Sequence, residues 1–357
     1  MNQSSHTRVL VIGAGLIGTS IALALKAQGR EVFLADSDAE ALHTGLVKSG
    51  ATSWAEGAVV DLIVVATPPS SVAEVIRSAA RQHPNAVVTD VASVKGAIFE
   101  VLKDEPESVL SRIVGGHPMA GREVSGARAA QSNLFVDRPW VITRTAHTSD
   151  AACTAVYELA TALGAVPIER SIEEHDQAVA LISHTPQVLA SVLAGRLVDA
   201  PQSQVDLAGQ GIRDTIRIAG SDANLWSDIL ASNAHEVSRQ VTAIASRLAE
   251  VAEALDKGDK QAVVDILTLG STGQKKLPGK HGERIQEDAV VVVRLDDKPG
   301  ELARLFAAAA QADVNLEDVR IDHSLGRMTG LVELTVAQSV ASKLEHSLIA
   351  QGFVVIV

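Results

Sequence analysis

Residues 8–18 read RVLVIGAGLIG, and this stretch decides the fold of the first half of the chain. The β-branched run 8–12 predicts a strand, and an apolar helical pattern follows over 16–28. Between them lie three glycines, Gly13, Gly15 and Gly18. In such a unit the first glycine permits a tight turn, the second lets a pyrophosphate approach the backbone, and the third lets helix and strand pack closely. The stretch therefore predicts a dinucleotide-binding domain.

A carboxylate follows the second predicted strand, 32–35. Asp36 lies eighteen residues beyond Gly18, where it would hydrogen-bond an adenosine ribose. Its charge would repel the 2′-phosphate of NADP, so NAD is the expected cofactor, although Ser37 and Arg30 leave NADP open. Alternatively Asp36 caps the helix that begins near Ala39, a role better suited to Ser37 or Asp38. The expected cofactor contacts are Gly13, Gly15, Leu16, Ile17, Gly18, Asp36 and Thr67.

Strands and helices then alternate. Strands are predicted at 61–66, 86–90, 113–114, 140–143 and 165–169, and helices at 70–82, 95–102 and 149–163. This alternation indicates an α/β fold with a doubly wound parallel sheet, in which ligands bind at the carboxyl ends of the strands. The loops containing Thr67, Ser93 and His117 should therefore meet at the edge that carries the glycine turn.

The stretch 115–126, GGHPMAGREVSG, predicts a shaped loop rather than a helix or an ordinary strand. Pro118 biases His117 towards an extended backbone. This stretch is where we expect the chemistry of the chain, with His117 as the candidate residue. The alternatives are a surface turn with a solvated histidine and, for Ser93, the N-cap of the next helix.

Composition excludes several classes of protein. A length of 357 residues predicts two or three domains, and a formal charge of −12 argues against a nucleic-acid partner. The single cysteine, Cys153, excludes an intrachain disulfide and fits a reducing compartment; its alanine-rich setting predicts a small core residue. The eleven histidines lack metal-ligand spacing, so no metal site is expected. The glycines within the apolar stretch 10–25 argue against a signal peptide, and a cytoplasmic protein with no membrane partner is expected.

From about Ser171 the pattern becomes helical. Pro186 within an apolar helix should kink it and turn His184 or its backbone towards a partner. Arg213 and Arg217 lie in an apolar setting and need partners. An ion pair with Asp214 or Asp222 would satisfy one of them, which leaves the other for an anionic ligand. Apolar residues spaced by four and three indicate packing within a helical bundle or across a dimer: Val237, Val241, Ile244, Leu248, Val251 and Leu255.

The tail predicts βαββαβ, the ferredoxin-like order, in about seventy residues. The predicted organisation is a Rossmann domain at 1–170, an all-helical substrate and dimerisation domain at 171–275, a linker at 276–286 and a small regulatory domain at 287–357.

Five segments together resemble the prephenate/arogenate dehydrogenase family of tyrosine biosynthesis: 13–18, 90–95 (DVASVK), 116–126, 183–184 and 213–226 (RDTIRIAGSDANLW). Segment 297–302 (DKPGEL) resembles the ACT domain, a module that commonly binds an amino-acid effector. The resemblance implies oxidative decarboxylation of prephenate with hydride transfer to NAD, by a homodimer regulated by an amino acid such as tyrosine.

The resemblance also implies roles for residues. His117 would be the proton acceptor, a role that suits a neutral histidine near neutral pH, and the glycines around it would let the ring of the substrate lie close to the backbone. Ser93 would orient His117, and Arg217 would bind a substrate carboxylate. Glu123 and His184 would line the pocket, and Gly300 and Asn315 would bind the effector. Where the family often has a second histidine in Ser-His-x-Pro-His, this chain has Gln187, which leaves L-arogenate open as the substrate.

Two other functions fit parts of the pattern. One is a non-catalytic sensor of dinucleotide and amino acid, which would need neither His117 nor Arg217. The other is a β-hydroxyacid-type dehydrogenase, for which Lys95 is the candidate catalytic lysine. The presence of both His117 and Arg217 favours an enzyme of the prephenate/arogenate dehydrogenase family over these two alternatives.

Overall fold

The computed structural model describes residues 7–121, 124–277, 288–323 and 329–356. Contacts between residues divide the chain into two compact units, 1–246 and 247–357. Glu123, predicted to line the substrate pocket, lies outside the described residues. The domain boundaries proposed from sequence stay predictions.

The first unit contains an eight-stranded sheet with the order β3-β2-β1-β4-β5-β6-β7-β8. Its strands are β1 (Val9–Ile12), β2 (Val32–Ala35), β3 (Thr52–Ser53), β4 (Leu62–Val65), β5 (Val87–Asp90), β6 (Ile113–Pro118), β7 (Pro139–Thr143) and β8 (Val166–Glu169). The first six strands are parallel and have the Rossmann order, so the crevice outside β1 and β4 is where a dinucleotide binds in this fold.

Two features of the sheet differ from the prediction. The short strand β3 was not predicted, and β7 runs antiparallel to β6 rather than parallel. A parallel return needs a crossover connection, usually a helix. The described part of the β6–β7 connection contains only the 3-10 helix Ala127–Ala129, so the chain turns back on itself.

Helices cover both faces of this sheet. They are α1 (Leu16–Ala27), α2 (Ala39–Ser49), α3 (Pro69–Gln82), α4 (Gly96–Leu102), α5 (Glu107–Leu110) and α6 (Asp150–Ala162). Along β1, Val9 and Val11 pack into one apolar cluster and Leu10 into the other, which is the pattern of a strand buried on both faces. Cys153 is buried in the first of these clusters, which confirms a core residue, and burial raises the pKa of its thiol.

Helices continue the first unit and enter the second. They are α7 (Ile172–Val179), the π-helix Ala180–His184, α8 (Thr185–Gly195), α9 (Gln202–Val205), α10 (Gln210–Ile216), the 3-10 helix Arg217–Gly220, α11 (Ala223–Ser232), α12 (Ala234–Asp256) and α13 (Lys260–Gln274). Pro186 lies in the first turn of α8, directly after the π-helix. The disturbance that Pro186 was expected to cause in the helix takes the form of a π-helical turn, which ends at His184. Such turns are frequent at functional sites.

The helical run Ile172–Gly195 is apolar and 24 residues long. By length and composition alone it could cross a membrane, and it is the one such run in the described part of the chain. Core helices pass the same test, and one such helix is weak evidence for a membrane span.

The second unit ends in a four-stranded antiparallel sheet with the order β10-β11-β9-β12. Its elements are β9 (Asp288–Asp296), α14 (Glu301–Gln311), β10 (Asp318–His323), β11 (Thr329–Ala337), the 3-10 helix Gln338–Val340, α15 (Ala341–Ala350) and β12 (Val354–Ile356). Leu305 of α14 and Leu344 of α15 pack against Val293 on one face of this sheet. The predicted βαββαβ order is confirmed.

Candidate active site

The glycine turn has the geometry that its sequence predicted. Gly13 has a φ of +114°, and a side chain there would overlap the carbonyl of Ala66. A side chain at Gly18 would overlap the carbonyl of Gly13. Around Gly15, in contrast, a Cβ atom would meet nothing within 4 Å. Packing therefore requires the first and third glycines, while the second leaves open space at the N-terminus of α1, where a pyrophosphate would be stabilised.

Asp36 connects the end of β2 to this turn. Its Oδ2 accepts a hydrogen bond from the backbone N–H of Ala14 at 2.6 Å, and Oδ1 accepts one from Asp38 at 2.8 Å. Asp38, rather than Asp36, caps α2. Arg30 precedes β2 and so lies at the opposite end of the strand from Asp36. Arg30 is therefore not placed to bind a 2′-phosphate near Asp36.

Thr67 follows β4 on the far side of the turn. Its backbone nitrogen would lie 3.1 Å from a Cβ added to Gly13, so it borders the turn closely. Its buried Oγ1 has no hydrogen-bond partner within the described residues. Because a buried hydroxyl without a partner is costly, a polar ligand fits this position. The turn, Asp36 and Thr67 thus fit a dinucleotide that fills the crevice outside β1 and β4.

His117 lies within strand β6, not in a loop after it. The strand continues to Pro118 because Gly115 and Gly116 let it pack tightly between its neighbours. A Cβ on Gly116 would lie 2.5 Å from the carbonyl oxygen of Asp90, and one on Gly115 would overlap the hydroxyl of Thr143. The prediction that these two glycines make room for a substrate is therefore wrong, since protein atoms occupy that space.

A buried ion pair fixes the next loop against β6. Lys95 Nζ donates to Asp90 Oδ2, and Asp90 Oδ1 accepts from the N–H of Gly116 at 3.2 Å. Lys95 is fully buried, which lowers its pKa, although Asp90 opposes the shift. Lys95 is thus engaged inside the protein, which argues against its use as a catalytic lysine. Ser93 lies half-buried in the same loop and does not cap α4, whose N-cap is Lys95.

His117 belongs to a chain of three buried side chains. Its Nδ1 lies 2.8 Å from Nε2 of His175, and Nδ1 of His175 lies 2.8 Å from Oδ1 of Asp176. Asp176 also accepts hydrogen bonds from the backbone N–H groups of Lys95 at 2.9 Å and Gly96 at 2.7 Å. Burial opposes ionisation of Asp176, but the bonds from His175 and the two amides outweigh it and lower the pKa.

The surroundings keep His117 neutral. Burial, followed by the nearby His175, Lys95 and His184, lowers the pKa of His117 well below 6.5. At neutral pH its imidazole is therefore unprotonated at one nitrogen. Such a group can accept a proton from a substrate.

His184 is fully buried close to the same chain. Its Nδ1 lies 3.3 Å from Nδ2 of Asn233, which donates to the carbonyl of Asp176 at 2.9 Å. The ring packs edge-on against Trp226, with centroids 6.1 Å apart. Burial lowers the pKa of His184 to about 4, and its Nε2 has no partner within the described residues.

Arg213 and Arg217 are both exposed, so the apolar setting predicted for them is wrong. Arg217 begins the 3-10 helix Arg217–Gly220, and Arg213 lies in α10. Of the two carboxylates considered as partners, Asp222 caps α11 and Asp214 accepts from Gln210.

The two predicted effector residues lie in the second unit. Gly300, with φ +93°, precedes α14, and Asn315 follows its other end and donates to Glu317 at 2.7 Å. An eleven-residue helix is roughly 16 Å long, so these residues do not form one site within a single copy of the unit.

Sequence reasoning missed His175, Asp176 and Asn233. The only local signal is a histidine next to an aspartate early in a helix, which is common and unspecific. Ser171 starts this helix with a capping box, in which its hydroxyl accepts from the N–H of Glu174 and the Glu174 carboxylate accepts from the N–H of Ser171. That cap could be predicted from sequence, but it does not indicate that the next turn meets strand β6.

Two family models match consecutive parts of the chain. Residues 21–169 match the family model "Prephenate dehydrogenase, nucleotide-binding domain", and residues 171–269 match "Prephenate dehydrogenase, dimerization domain". A relative described as probable prephenate dehydrogenase NovF of Streptomyces niveus is 34% identical over 350 residues, covering 95% of this chain and 96% of the relative.

Solved structures agree in fold. Prephenate dehydrogenase from A. aeolicus, in complex with hydroxyphenyl propionate and NAD+, is 25% identical with a TM-score of 0.70, covering 76% of this chain and 99% of that one. Synechocystis arogenate dehydrogenase is 25% identical with a TM-score of 0.64 and the same coverage. With both family models matched and a relative aligned over nearly its full length, the chain belongs to the prephenate dehydrogenase family.

Proposed function

We propose that this chain is an NAD-dependent prephenate dehydrogenase that makes 4-hydroxyphenylpyruvate in tyrosine biosynthesis. The observation that carries the proposal is the buried, neutral His117 on a strand of the dinucleotide-binding sheet. Strand β6 runs parallel to β1, so His117, near the carboxyl end of β6, lies on the same sheet edge as the glycine turn. Family membership and the full-length relative support the same reaction.

The reaction sets the task of the protein. Prephenate carries a 4-hydroxyl group, a ring carboxylate and a pyruvyl side chain. NAD, held at the glycine turn and Asp36, would supply the acceptor for the hydride from C4. His117 accepts the proton of the 4-hydroxyl, while the ring carboxylate leaves as CO₂ and the ring becomes aromatic. Since aromatisation supplies much of the driving force, the protein mainly positions the substrate and holds the proton.

Three further residues are assigned to the substrate. Arg217 binds a carboxylate, because its planar guanidinium can donate two parallel hydrogen bonds. Ser93, in the loop that Asp90 and Lys95 fix against β6, orients His117 or the nicotinamide edge. His184 lines the pocket with its neutral ring, whose Nε2 can take a polar partner. Glu123 remains assigned to the pocket wall by resemblance.

The cofactor contacts follow from the crevice. The assigned contacts are Gly13, Gly15, Leu16, Ile17, Gly18, Asp36 and Thr67. NAD is preferred over NADP because the Asp36 carboxylate lies where a 2′-phosphate would otherwise bind.

We also propose a cytoplasmic homodimer. Leu248 and Leu255 on α12 and Leu267 on α13 are each at least 60% exposed, more than is usual for leucines on regularly spaced helical positions. The dimerization-domain model covers all three. Association of two copies would bury them.

The second unit is proposed as an ACT-like regulatory module that binds an amino acid, tyrosine being the first candidate. Asn315→Ala in the full-length protein should then relieve inhibition by tyrosine and leave activity without tyrosine unchanged. If tyrosine inhibits the variant equally and competes with prephenate, it acts at the active site instead.

One experiment tests the main proposal. Nicotinamide reduction is followed at 340 nm with prephenate and L-arogenate, each with NAD and with NADP. The expected result is the highest kcat/KM with prephenate and NAD. Preference for arogenate would reassign the substrate, and inactivity in all four combinations would favour a non-catalytic dinucleotide sensor.

A further inference from the structure

We propose that His175 and Asp176 are positioning residues that fix the tautomer of His117 and stabilise the charge it acquires. The inference rests on the proposed function, because it assigns partners to the proton acceptor of that reaction. It is carried by two consecutive 2.8 Å contacts between buried side chains.

The direction of these hydrogen bonds follows from Asp176, the last of the three side chains. The carboxylate of Asp176 can only accept, so Nδ1 of His175 must carry the proton between them. In a neutral His175 the other nitrogen, Nε2, is then an acceptor. The proton in the second contact must therefore come from Nδ1 of His117. This leaves Nε2 of His117 with a free lone pair.

The free lone pair is the one that the reaction requires. The O–H bond of the substrate breaks and an Nε2–H bond forms at His117, while the hydride leaves C4 for NAD. Loss of the proton and the hydride turns the C4 alcohol into a ketone. When the C–C bond to the ring carboxylate breaks and CO₂ leaves, the electron pair of that bond makes the ring aromatic, and the ketone oxygen becomes a phenol oxygen by taking the proton back from Nε2. His117 thus ends unprotonated, and the proton balance closes without another acid.

The same contacts stabilise the intermediate imidazolium. While His117 carries two protons, its Nδ1–H still donates to His175, which is held by the carboxylate of Asp176. The other charged or titratable groups around His117 are His175 and His184, together with Lys95, whose charge is paired with Asp90. Asp176 is therefore the carboxylate that offsets the developing charge.

Asp176 is itself held rigidly. It accepts the N–H groups of Lys95 and Gly96, and Asn233 binds its backbone carbonyl. Three separate elements, α7, the start of α4 and the end of α11, converge on this aspartate. A hydrogen-bonded aspartate that orients a catalytic histidine is a known solution for fixing a tautomer in other folds.

The first test measures the tautomer of His117 in the wild-type protein. Protein labelled with ¹⁵N-histidine is assigned by comparison with His117→Asn, and the ring nitrogens are followed by NMR between pH 6.5 and 8. The expected result is a His117 signal with a protonated Nδ1 and an unprotonated Nε2. A proton on Nε2 of His117 in the protein without ligand would overturn the proposal.

The second test separates positioning from folding. His175→Phe keeps a ring but removes both hydrogen bonds, and should lower kcat about 10²-fold with little change in the KM for NAD. His175→Gln can place its amide oxygen near the position of Nε2 and so still accept a hydrogen bond from His117. Its kcat should therefore be at least tenfold higher than that of His175→Phe. Because these contacts stabilise the protonated ring, the acid limb of the kcat profile should move to lower pH in His175→Phe, and by less in His175→Gln.

The outcomes distinguish this inference from the proposed function. Wild-type protein that does not oxidise prephenate with NAD would reject the function itself. If the wild type is active and His175→Phe has the same kcat, only the positioning role is rejected. Equal losses in His175→Phe and His175→Gln, with unchanged His117 tautomer signals, would indicate a merely structural role.

Discussion

Gln187 donates a hydrogen bond from Nε2 to the backbone carbonyl of Ile218 at 3.0 Å. Ile218 follows Arg217 in the same 3-10 helix, and Gln187 is buried in α8, which packs against that helix. The residue that stands where the family often has a histidine is thus engaged with the backbone beside Arg217. We infer that Gln187 supports the turn that presents Arg217.

Gln187→Leu should therefore raise the KM for prephenate about fivefold, because one lost hydrogen bond is worth about 1 kcal/mol and Arg217 would be held less firmly. The KM for NAD should stay unchanged. Ser191→Ala is the matched control, since it removes only the weaker 3.4 Å contact of the same amide. Steady-state kinetics with prephenate and NAD each varied measure both KM values. A change confined to the KM for NAD would contradict this role of Gln187.

Arg217→Ala should act mainly on the KM for prephenate, with a loss of about 2 kcal/mol or roughly thirtyfold in kcat/KM for one charged hydrogen-bonding partner. Arg213→Ala is the comparison, because Arg213 is also exposed and lies one helical turn earlier. Equal effects of both substitutions would indicate a general electrostatic contribution rather than carboxylate binding at Arg217.

His117→Asn should lower kcat by about 10² to 10⁴, as expected for the loss of a general base, and leave NAD binding nearly intact. His147→Asn, at an exposed position, serves as control. Because burial lowers the pKa of His117 well below 6.5, kcat/KM of the wild type should be flat from pH 8 to 6.5 and decline only at lower pH. An acid limb centred above pH 6.5 would assign the proton acceptor to another group.

Asp36→Asn should weaken NAD binding about tenfold and reduce the ratio of the affinity for NAD to that for NADP. The amide keeps the contact to Ala14 but loses the charge. Asp38→Ala is the matched control. It removes the cap of α2 and should cost about 1 kcal/mol of stability without altering the ratio of NAD to NADP affinity. Cofactor titrations by fluorescence measure both, and an unchanged ratio in Asp36→Asn would show that selectivity lies elsewhere.

The predictable part of this molecule is what local chemistry dictates. Gly13 and Gly18 can be identified from sequence because a strand, a tight turn and a helix follow one another there. The structure confirms this, since a side chain at either position would overlap a backbone carbonyl. The chain from His117 to Asp176 could not be predicted, because it joins residues 58 positions apart through the packing of α7 against the sheet. The direction of β7 was missed for a similar reason, since it depends on the path of a connection rather than on the strand itself.

His184 provides a test of burial that does not depend on catalysis. Its pKa is about 4 in the folded protein and near 6.5 in an unfolded chain. Between these values the unfolded chain binds a proton that the folded protein does not, so stability is fully present above pH 6.5 and is lost as the pH falls towards 4. The neutral ring is favoured because burial penalises the cation more than Asp176 stabilises it.

The free energy of unfolding of the wild type should accordingly fall between pH 7.5 and 5, with His184 contributing on the order of 2 kcal/mol to the decrease. In His184→Asn the overall stability is lower, because the ring no longer packs against Trp226, but the decrease with pH should be smaller by that amount. His43→Asn, at an exposed position, should retain the wild-type decrease. Urea unfolding at both pH values measures the difference, and parallel curves for wild type and His184→Asn would mean that His184 is protonated in the fold or reached by solvent.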